Sequence, residues 1–171
     1  MAAPSFWIKR HIDRVRPGGH VLDVAAGGGR HVGLCRLLGL RVTAVDRDVS
    51  GLDRFAGDAD VRIVEADLEA GTWPFPGATF DGVIVTNYLW RPTIPDVLGA
   101  VAPGGVLLWE TFAVGNARFG RPRNPDFLLG PNELLHAVLP DFEVLAFESV
   151  EEAGPEPAVR QHIAARRPPA A

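Results

Sequence analysis

The chain has 171 residues, is 47% hydrophobic and carries a net charge of −4. That length supports one domain with a sizeable core, and the charge excludes a basic field that would draw the protein to nucleic acid. The single cysteine, Cys35, excludes an intrachain disulfide, and no stretch nears the ~20 apolar residues of a membrane span, so a cytoplasmic protein is expected.

In chain order, residues 5–16 carry Phe6, Ile8, Ile12 and Val15 at helical spacing, and Pro17-Gly18-Gly19 ends that helix. A strand is expected over 21–25 and a helix over 30–38, with Val32, Leu34, Leu37 and Leu38 apolar and Gly39 as its C-cap. A second strand covers 41–46, a short helix 50–56 with Ser50 as N-cap, and a third strand 61–65. Residues 71–77, with Trp73, Pro74 and Pro76, form a loop. The β-branched run at 82–86 reads as a strand buried on both faces. Pro95 opens a helix reaching Val101; Pro103-Gly104-Gly105 turns the chain into a strand at 106–111. Residues 113–130 form a loop long enough to suggest a lid, followed by a helix at 132–138. Residues 142–150 and 159–166 close the chain as a hairpin around Gly154-Pro155. Domain and tail divide at 167/168. Strands alternating with helices imply an open, mostly parallel α/β sheet.

The most specific segment is VLDVAAGGGRH, Val21 to His31, followed by TAVDRD, Thr43 to Asp48. Gly27, Gly28 and Gly29 permit a sharp turn and close approach of a ligand to the backbone. A helix starting at Arg30 aims free N–H groups at that ligand. Asp46, with Arg47 beside it, ends the second strand where a carboxylate can accept bonds from two ribose hydroxyls. This is a nucleoside-binding β-α-β unit. It is a poor dinucleotide fingerprint, because Val32 stands where the third glycine belongs.

Asp23-x-Ala25-x-Gly27-x-Gly29 resembles the acidic, glycine-rich first motif of class I S-adenosylmethionine (SAM) methyltransferases, with Ala25 where that family usually has glycine. VEADLE (Val64 to Glu69), FDGVIVTNYL (Phe80 to Leu89) and VAPGGVLLWE (Val101 to Glu110) resemble its later strand motifs in order. The run from Glu110 to Leu129 is similar to a bacterial branch related to tellurite and thiopurine methyltransferases. The resemblance implies a single Rossmann-like sheet of seven strands, order 3-2-1-4-5-7-6, with strand seven antiparallel. It also implies SAM as cofactor, with Asp67 and Leu68 at the adenine and Thr86 and Asn87 near the methyl group. Asp23 either accepts bonds from the glycine loop or meets the ligand's amino group. His31 is placed to touch the cofactor carboxylate, with His11 and Trp7 closing over it.

A sulfonium methyl is already activated, so the protein supplies positioning and desolvation. Tyr88 and Glu110 are the candidate catalytic groups, and of the side chains after strands four and five only Glu110 can act as a base. A thiolate or a chalcogen oxyanion needs no base. TNYL, Thr86 to Leu89, differs from the N/D-P-P-Y/F/W motif of amino-group methyltransferases, which argues against exocyclic adenine or glutamine amines. Trp90 and Arg91 either face the acceptor or pack on a neighbouring helix. Asn116, Arg118, Phe119 and Arg121, with Arg123, suit an anionic acceptor, or serve solubility alone. The histidines show no metal-ligand spacing. The expected protein is a monomeric or homodimeric enzyme for a small-molecule acceptor. An RNA methyltransferase, an NAD-type oxidoreductase and a non-catalytic SAM-binding module are the alternatives.

Overall fold

The computed structural model describes residues 2–170. Seven strands form one sheet in the order β3-β2-β1-β4-β5-β7-β6. They are β1 (His20–Val24), β2 (Arg41–Asp46), β3 (Val61–Glu65), β4 (Phe80–Thr86), β5 (Val101–Phe112), β6 (Glu143–Glu152) and β7 (Ala158–Arg166). β1 to β5 pair in parallel, and β7 runs antiparallel to both β5 and β6. This is the expected order and the expected hand of strand seven.

Four helices cover the sheet: α1 (Phe6–His11), α2 (Arg30–Leu37), α3 (Ile94–Gly99) and α4 (Glu133–Val138). One core lies under α1 and α2 and includes Ile8, Val32, Cys35, Val42, Ile84 and Leu108. The other lies under α3 and α4 and includes Val85, Val97, Leu107, Trp109, Leu134 and Ile163. Strand alternation divides neighbouring residues between these cores. Leu107 and Trp109 face one side, while Leu108 and Glu110 face the other.

Several expectations are corrected. The N-terminal helix is α-helical only to His11, and a 3-10 turn, Ile12–Arg14, completes it. Its inward face is carried by Trp7, Ile8, His11 and Ile12, while Phe6 is 78% exposed. The Ser5 hydroxyl, accepting from the Trp7 and Ile8 amides, fixes the start of the helix so that Phe6 points outward. In α2 the buried residues are His31, Val32 and Cys35, whereas Leu37 is 84% exposed. The segment Ser50–Phe55 is a 3-10 turn, and Ser50 does not cap it. Asp48 Oδ1 instead accepts the Ser50 amide at 3.0 Å. α3 stops at Gly99 because Val101 already pairs with Phe80 as the first residue of β5. The loop from Ala113 to Gly130 is a packed segment, with two 3-10 turns, a bridge between Ala113 and Leu129, and Leu128 and Leu129 buried.

Candidate active site

The site lies at the carboxyl ends of β1, β2, β4 and β5, where open parallel sheets bind ligands. After β1 the backbone enters the left-handed region at Ala25 (φ 55°), Gly27 (φ 52°) and Gly29 (φ 68°). Ala25 carries the strain that glycine would avoid. A Cβ on Gly27 would meet nothing within 4 Å, so this residue faces open space; one on Gly29 would lie 2.6 Å from Leu52, so that glycine serves packing. Asp46 holds the loop: its Oδ2 accepts the Gly27 amide at 2.8 Å and its Oδ1 the Asp48 amide at 3.1 Å. Each oxygen keeps a further lone pair for a ligand hydroxyl.

Beside this loop, a cleft of about 200 Å³ is walled by Ala25, Asp46, Arg47, Asp67, Leu68 and Tyr88. Leu68 supplies a buried apolar wall. Asp67 Oδ1 accepts the Glu69 amide at 2.9 Å, which orients the carboxylate at the turn. Burial pushes the Tyr88 phenol up to about 12, so it is neutral at physiological pH. Tyr88 thus sits among the residues expected at the nucleoside, away from Glu110.

Ala25 is shared with a second cleft, where Gly27, Gly28, Arg30, Thr86 and Asn87 also contribute. Two observations fit an amino-acid-bearing nucleoside such as SAM across these clefts. Gly27 leaves the space a side chain would fill. Asp23, only 1% exposed at the centre of β1, has no hydrogen-bond partner for either oxygen among the described residues. Burial raises its carboxyl to about 7, against an opposing pull from Arg30. The glycine-loop bond expected for Asp23 goes to Asp46 instead.

His31 is corrected. It is buried, its Nε2 accepts the Ser5 amide at 3.1 Å, and burial lowers it to about 4. It is a neutral tether for the N-terminal segment, with its acceptor nitrogen already occupied. His11 is buried against Trp7, with ring centroids 4.3 Å apart, and Trp7 Nε1 donates to the Ile163 carbonyl. Neither closes over the glycine loop.

Asn87 (φ 55°) and Arg30 join the second cleft to a third pocket. Its floor is one row of side chains across three strands. Glu110 on β5 is registered with His162 on β7, which is registered with Glu148 on β6. Glu110 is 6% exposed, and its Oε2 accepts the Ser5 hydroxyl at 2.7 Å. His162 Nε2 lies 3.1 Å from Glu152 Oε1 and Nδ1 lies 3.8 Å from Glu148 Oε2. Arg160 bonds Glu152 at 3.1 Å, donates to Asn87 Oδ1 and stacks on Phe112 at 4.0 Å. Ser5, Glu148, Glu152, Arg160 and His162 were not read from the sequence. The available signal was the alternation in Arg160-x-His162 and Glu148-x-Val150-x-Glu152, which puts each set on one strand face.

The long loop separates the residues expected at the acceptor. Phe119 and Arg121 line a neighbouring cleft with Glu156 and Arg160. Asn116 is buried and structural: it accepts the Val159 amide and donates to the Pro122 carbonyl. Arg118 pairs with exposed Glu151 and covers Phe119. Arg91 is turned away, tied to Glu133 and to the carbonyls of Asp126 and Leu128. Trp90 is half-buried and precedes that turn.

A cleft at the ends of β1 and β2 thus lies in one row with a polar pocket at the end of β5 and the start of β7. Residues 21–105 match the family model described as a methyltransferase domain. The chain has the fold of class I SAM-dependent methyltransferases, and SAM is the cofactor of that class. TehB from Haemophilus influenzae superposes with a TM-score of 0.78 at 19% identity, over 98% of this chain and 63% of that one. The 1,6-didemethyltoxoflavin-N1-methyltransferase of Burkholderia thailandensis, solved with 1,6-didemethyltoxoflavin and S-adenosylhomocysteine (SAH), superposes at 0.69 with 20% identity, over 92% of this chain and 74% of that one. Ribosomal RNA small subunit methyltransferase H of Nostoc punctiforme is 40% identical over 75 residues, which are 41% of this chain and 25% of that protein. The chain therefore spans a quarter of that curated relative and under two thirds of TehB. Among the described residues no helix is long and apolar enough to cross a membrane.

Proposed function

We propose that this protein transfers a methyl group from SAM to a small-molecule acceptor. The acceptor occupies the pocket between α1, the end of β5 and the β6–β7 arm. The observation that carries this reading is the continuity of the site. The Gly27 cleft and the Glu110 pocket share Asn87 and Arg30, so ligands in the two would meet at the end of β4. When bound, SAM supplies a methyl group on a positively charged sulfur, an electrophile that needs no further activation. Asp46, the glycine loop and Asp67 hold the nucleoside. Asn87, fixed by Arg160, sets the boundary between the two ligands. Buried Trp7 gives the acceptor pocket an apolar wall. Positioning of this kind lowers a barrier by up to ~7–11 kcal/mol.

The likeness of fold to the toxoflavin enzyme, which holds a small molecule beside SAH, supports a small acceptor. The Nostoc relative favours a second reading, methylation of RNA. Against it stand the net charge of −4 and the carboxylates that line the acceptor pocket. The test is SAH release with a panel of small thiols, selenite, phenols and amines, beside ribosomal RNA as a competing substrate. Turnover of a small molecule supports the proposal. Turnover of RNA alone, with RNA binding that falls steeply with salt, would replace it.

A further inference from the structure

We infer that His162 is the base that takes the acceptor's proton, and that the acceptor is an aromatic hydroxyl compound, an inference that rests on the methyltransferase reading above. His162 is 6% exposed and lines the pocket that meets the glycine-loop cleft at Asn87 and Arg30. Three other histidines each spend a ring nitrogen on a hydrogen bond. His31 Nε2 accepts the Ser5 amide, His11 Nδ1 accepts Arg14 Nε at 3.2 Å, and His20 Nε2 lies 2.9 Å from Thr43 Oγ1. His162 spends neither of its own. Its Nε2 is enclosed 3.1 Å from Glu152 Oε1, without an aligned hydrogen-bond partner among the described residues. Its Nδ1 is 3.8 Å from Glu148 Oε2, beyond hydrogen-bond range. Buried polar side chains are as a rule hydrogen-bonded, so an uncommitted imidazole on a pocket wall points to a ligand.

The neighbours of the ring decide which nitrogen acts. Glu152 is itself held, because its Oε2 pairs with Arg160 Nε at 3.1 Å. A carboxylate beside Nε2 favours the tautomer with its hydrogen there and leaves the lone pair on Nδ1. Nε2 is shut in by the protein and Nδ1 is not, so Nδ1 is the nitrogen that a ligand in the pocket reaches. Trp7 buttresses the imidazole, with ring centroids 5.2 Å apart, and lines the same pocket. That buried indole gives an aromatic acceptor a ring to pack on.

In the transfer, Nδ1 takes the hydroxyl proton while the acceptor oxygen forms its bond to the methyl carbon. The bond from that carbon to sulfur breaks, and its electron pair stays on sulfur. The positive charge thus passes from the sulfonium to the imidazolium, which stands between Glu148 and Glu152. A phenol is the acceptor that needs this step. It titrates near ~10, as tyrosine does, and keeps its proton at neutral pH. An electron-poor thiol arrives as its anion and has no proton to give.

Phenol and 4-nitrothiophenol, the second delivered as its thiolate, separate proton removal from positioning. His162→Gln should lower kcat/KM for phenol by about a hundredfold or more, the range of a general base. That loss should exceed the loss with 4-nitrothiophenol by about tenfold or more. Glu152→Gln, which removes the positioning charge, should show the same bias at smaller size. A binding readout stands beside these rates. In protein labelled with 15N-histidine and saturated with SAH, phenol should move the His162 Nδ1 resonance upfield, as accepting a hydrogen bond does. Anisole, which has no hydroxyl, should leave it in place. Should His162→Gln fail to fold, Glu152→Gln and the wild-type resonance decide. Equal losses with the two acceptors, no methylation of phenol by wild type, or a resonance that phenol does not move overturns the inference. Absence of heat in the preceding SAH titration would overturn the methyltransferase reading itself, so the two failures are distinguishable.

Discussion

At the residue scale, two aspartates are expected to have opposite effects. Asp46 both anchors the Gly27 amide and offers lone pairs to a ribose, so Asp46→Ala should weaken SAM binding by about 1.5–3 kcal/mol. Asp46→Asn retains an acceptor and should fall between; calorimetric affinity equal to wild type in Asp46→Ala would remove this carboxylate from the site. Asp23 carries a folded-state value of about 7, raised from 3.8 chiefly by burial. Between those two values the unfolded chain has released a proton that the folded chain retains. Stability of the ligand-free protein therefore falls as pH rises through that window, by on the order of 4 kcal/mol. Asp23→Asn should then be more stable than wild type at pH 8 and similar near pH 4, as read from denaturant midpoints, while binding SAM less tightly. A variant no more stable at pH 8 than wild type would show that the buried carboxylate has a partner. The placement of Asp23, Gly27, Gly29 and Asp46 at one junction was legible because it is local: a strand, a turn and a second strand end bring them together within one β-α-β unit. Ala25 shows the limit of that reading. Its left-handed φ explains why glycine suits the position, and the chain tolerates the strain at one residue.

At the element scale, the N-terminal segment is fastened by one bond from the Ser5 amide to His31 and one from the Ser5 hydroxyl to Glu110. His31 is depressed to about 4 from 6.5, mainly by burial. The unfolded chain binds a proton first as pH falls, so the stability this neutral histidine contributes is present above 6.5 and is lost as pH drops toward 4, about 3 kcal/mol in all. Hydrogen exchange of the Ser5 and Trp7 amides should accelerate over that window in wild type, and His31→Gln, which cannot titrate, should flatten the dependence. An unchanged pH profile in the variant would assign the acid sensitivity elsewhere. Arg91 ties the turn after β4 to the long loop through Glu133 and two carbonyls. Arg91→Ala should cost about 1–3 kcal/mol and open residues 113–130 to proteolysis without changing SAM affinity. Protection from protease equal to wild type would show that the loop holds itself. These roles were hidden in the sequence for a physical reason. Arg91 and Asn116 are spent on backbone groups 35 and 43 residues away, and composition carries no sign of partners at that distance. The same holds for Glu110, His162 and Glu148, which share a row only because β7 inserts between β5 and β6. The helix errors have a different origin. Leu37 and Leu38 at the end of α2 are apolar but 84% and 49% exposed, while His31, Val32 and Cys35 take the buried face.

For the whole molecule, the sheet order places three clefts in sequence: the one proposed for the nucleoside at β1–β2, glycine loop and Asn87 at β1–β4, and the carboxylate-lined pocket at β5–β7. Strand order and the antiparallel seventh strand came from the resemblance of the motifs to class I SAM methyltransferases, whereas alternating strands and helices by themselves give only an open, mostly parallel sheet. The acceptor side was not legible, since it is assembled from α1, β5, β6 and β7, which lie far apart in the chain. The central claim is that this row of clefts holds SAM against a separate acceptor. Isothermal titration of the purified protein with SAM, SAH and NADH tests it most directly. The expected result is one equivalent of SAM or SAH bound, no heat with NADH, and a loss of about tenfold or more in SAM affinity for Asp46→Ala. Binding of NADH in preference to SAM, or no binding of SAM and SAH, would contradict it.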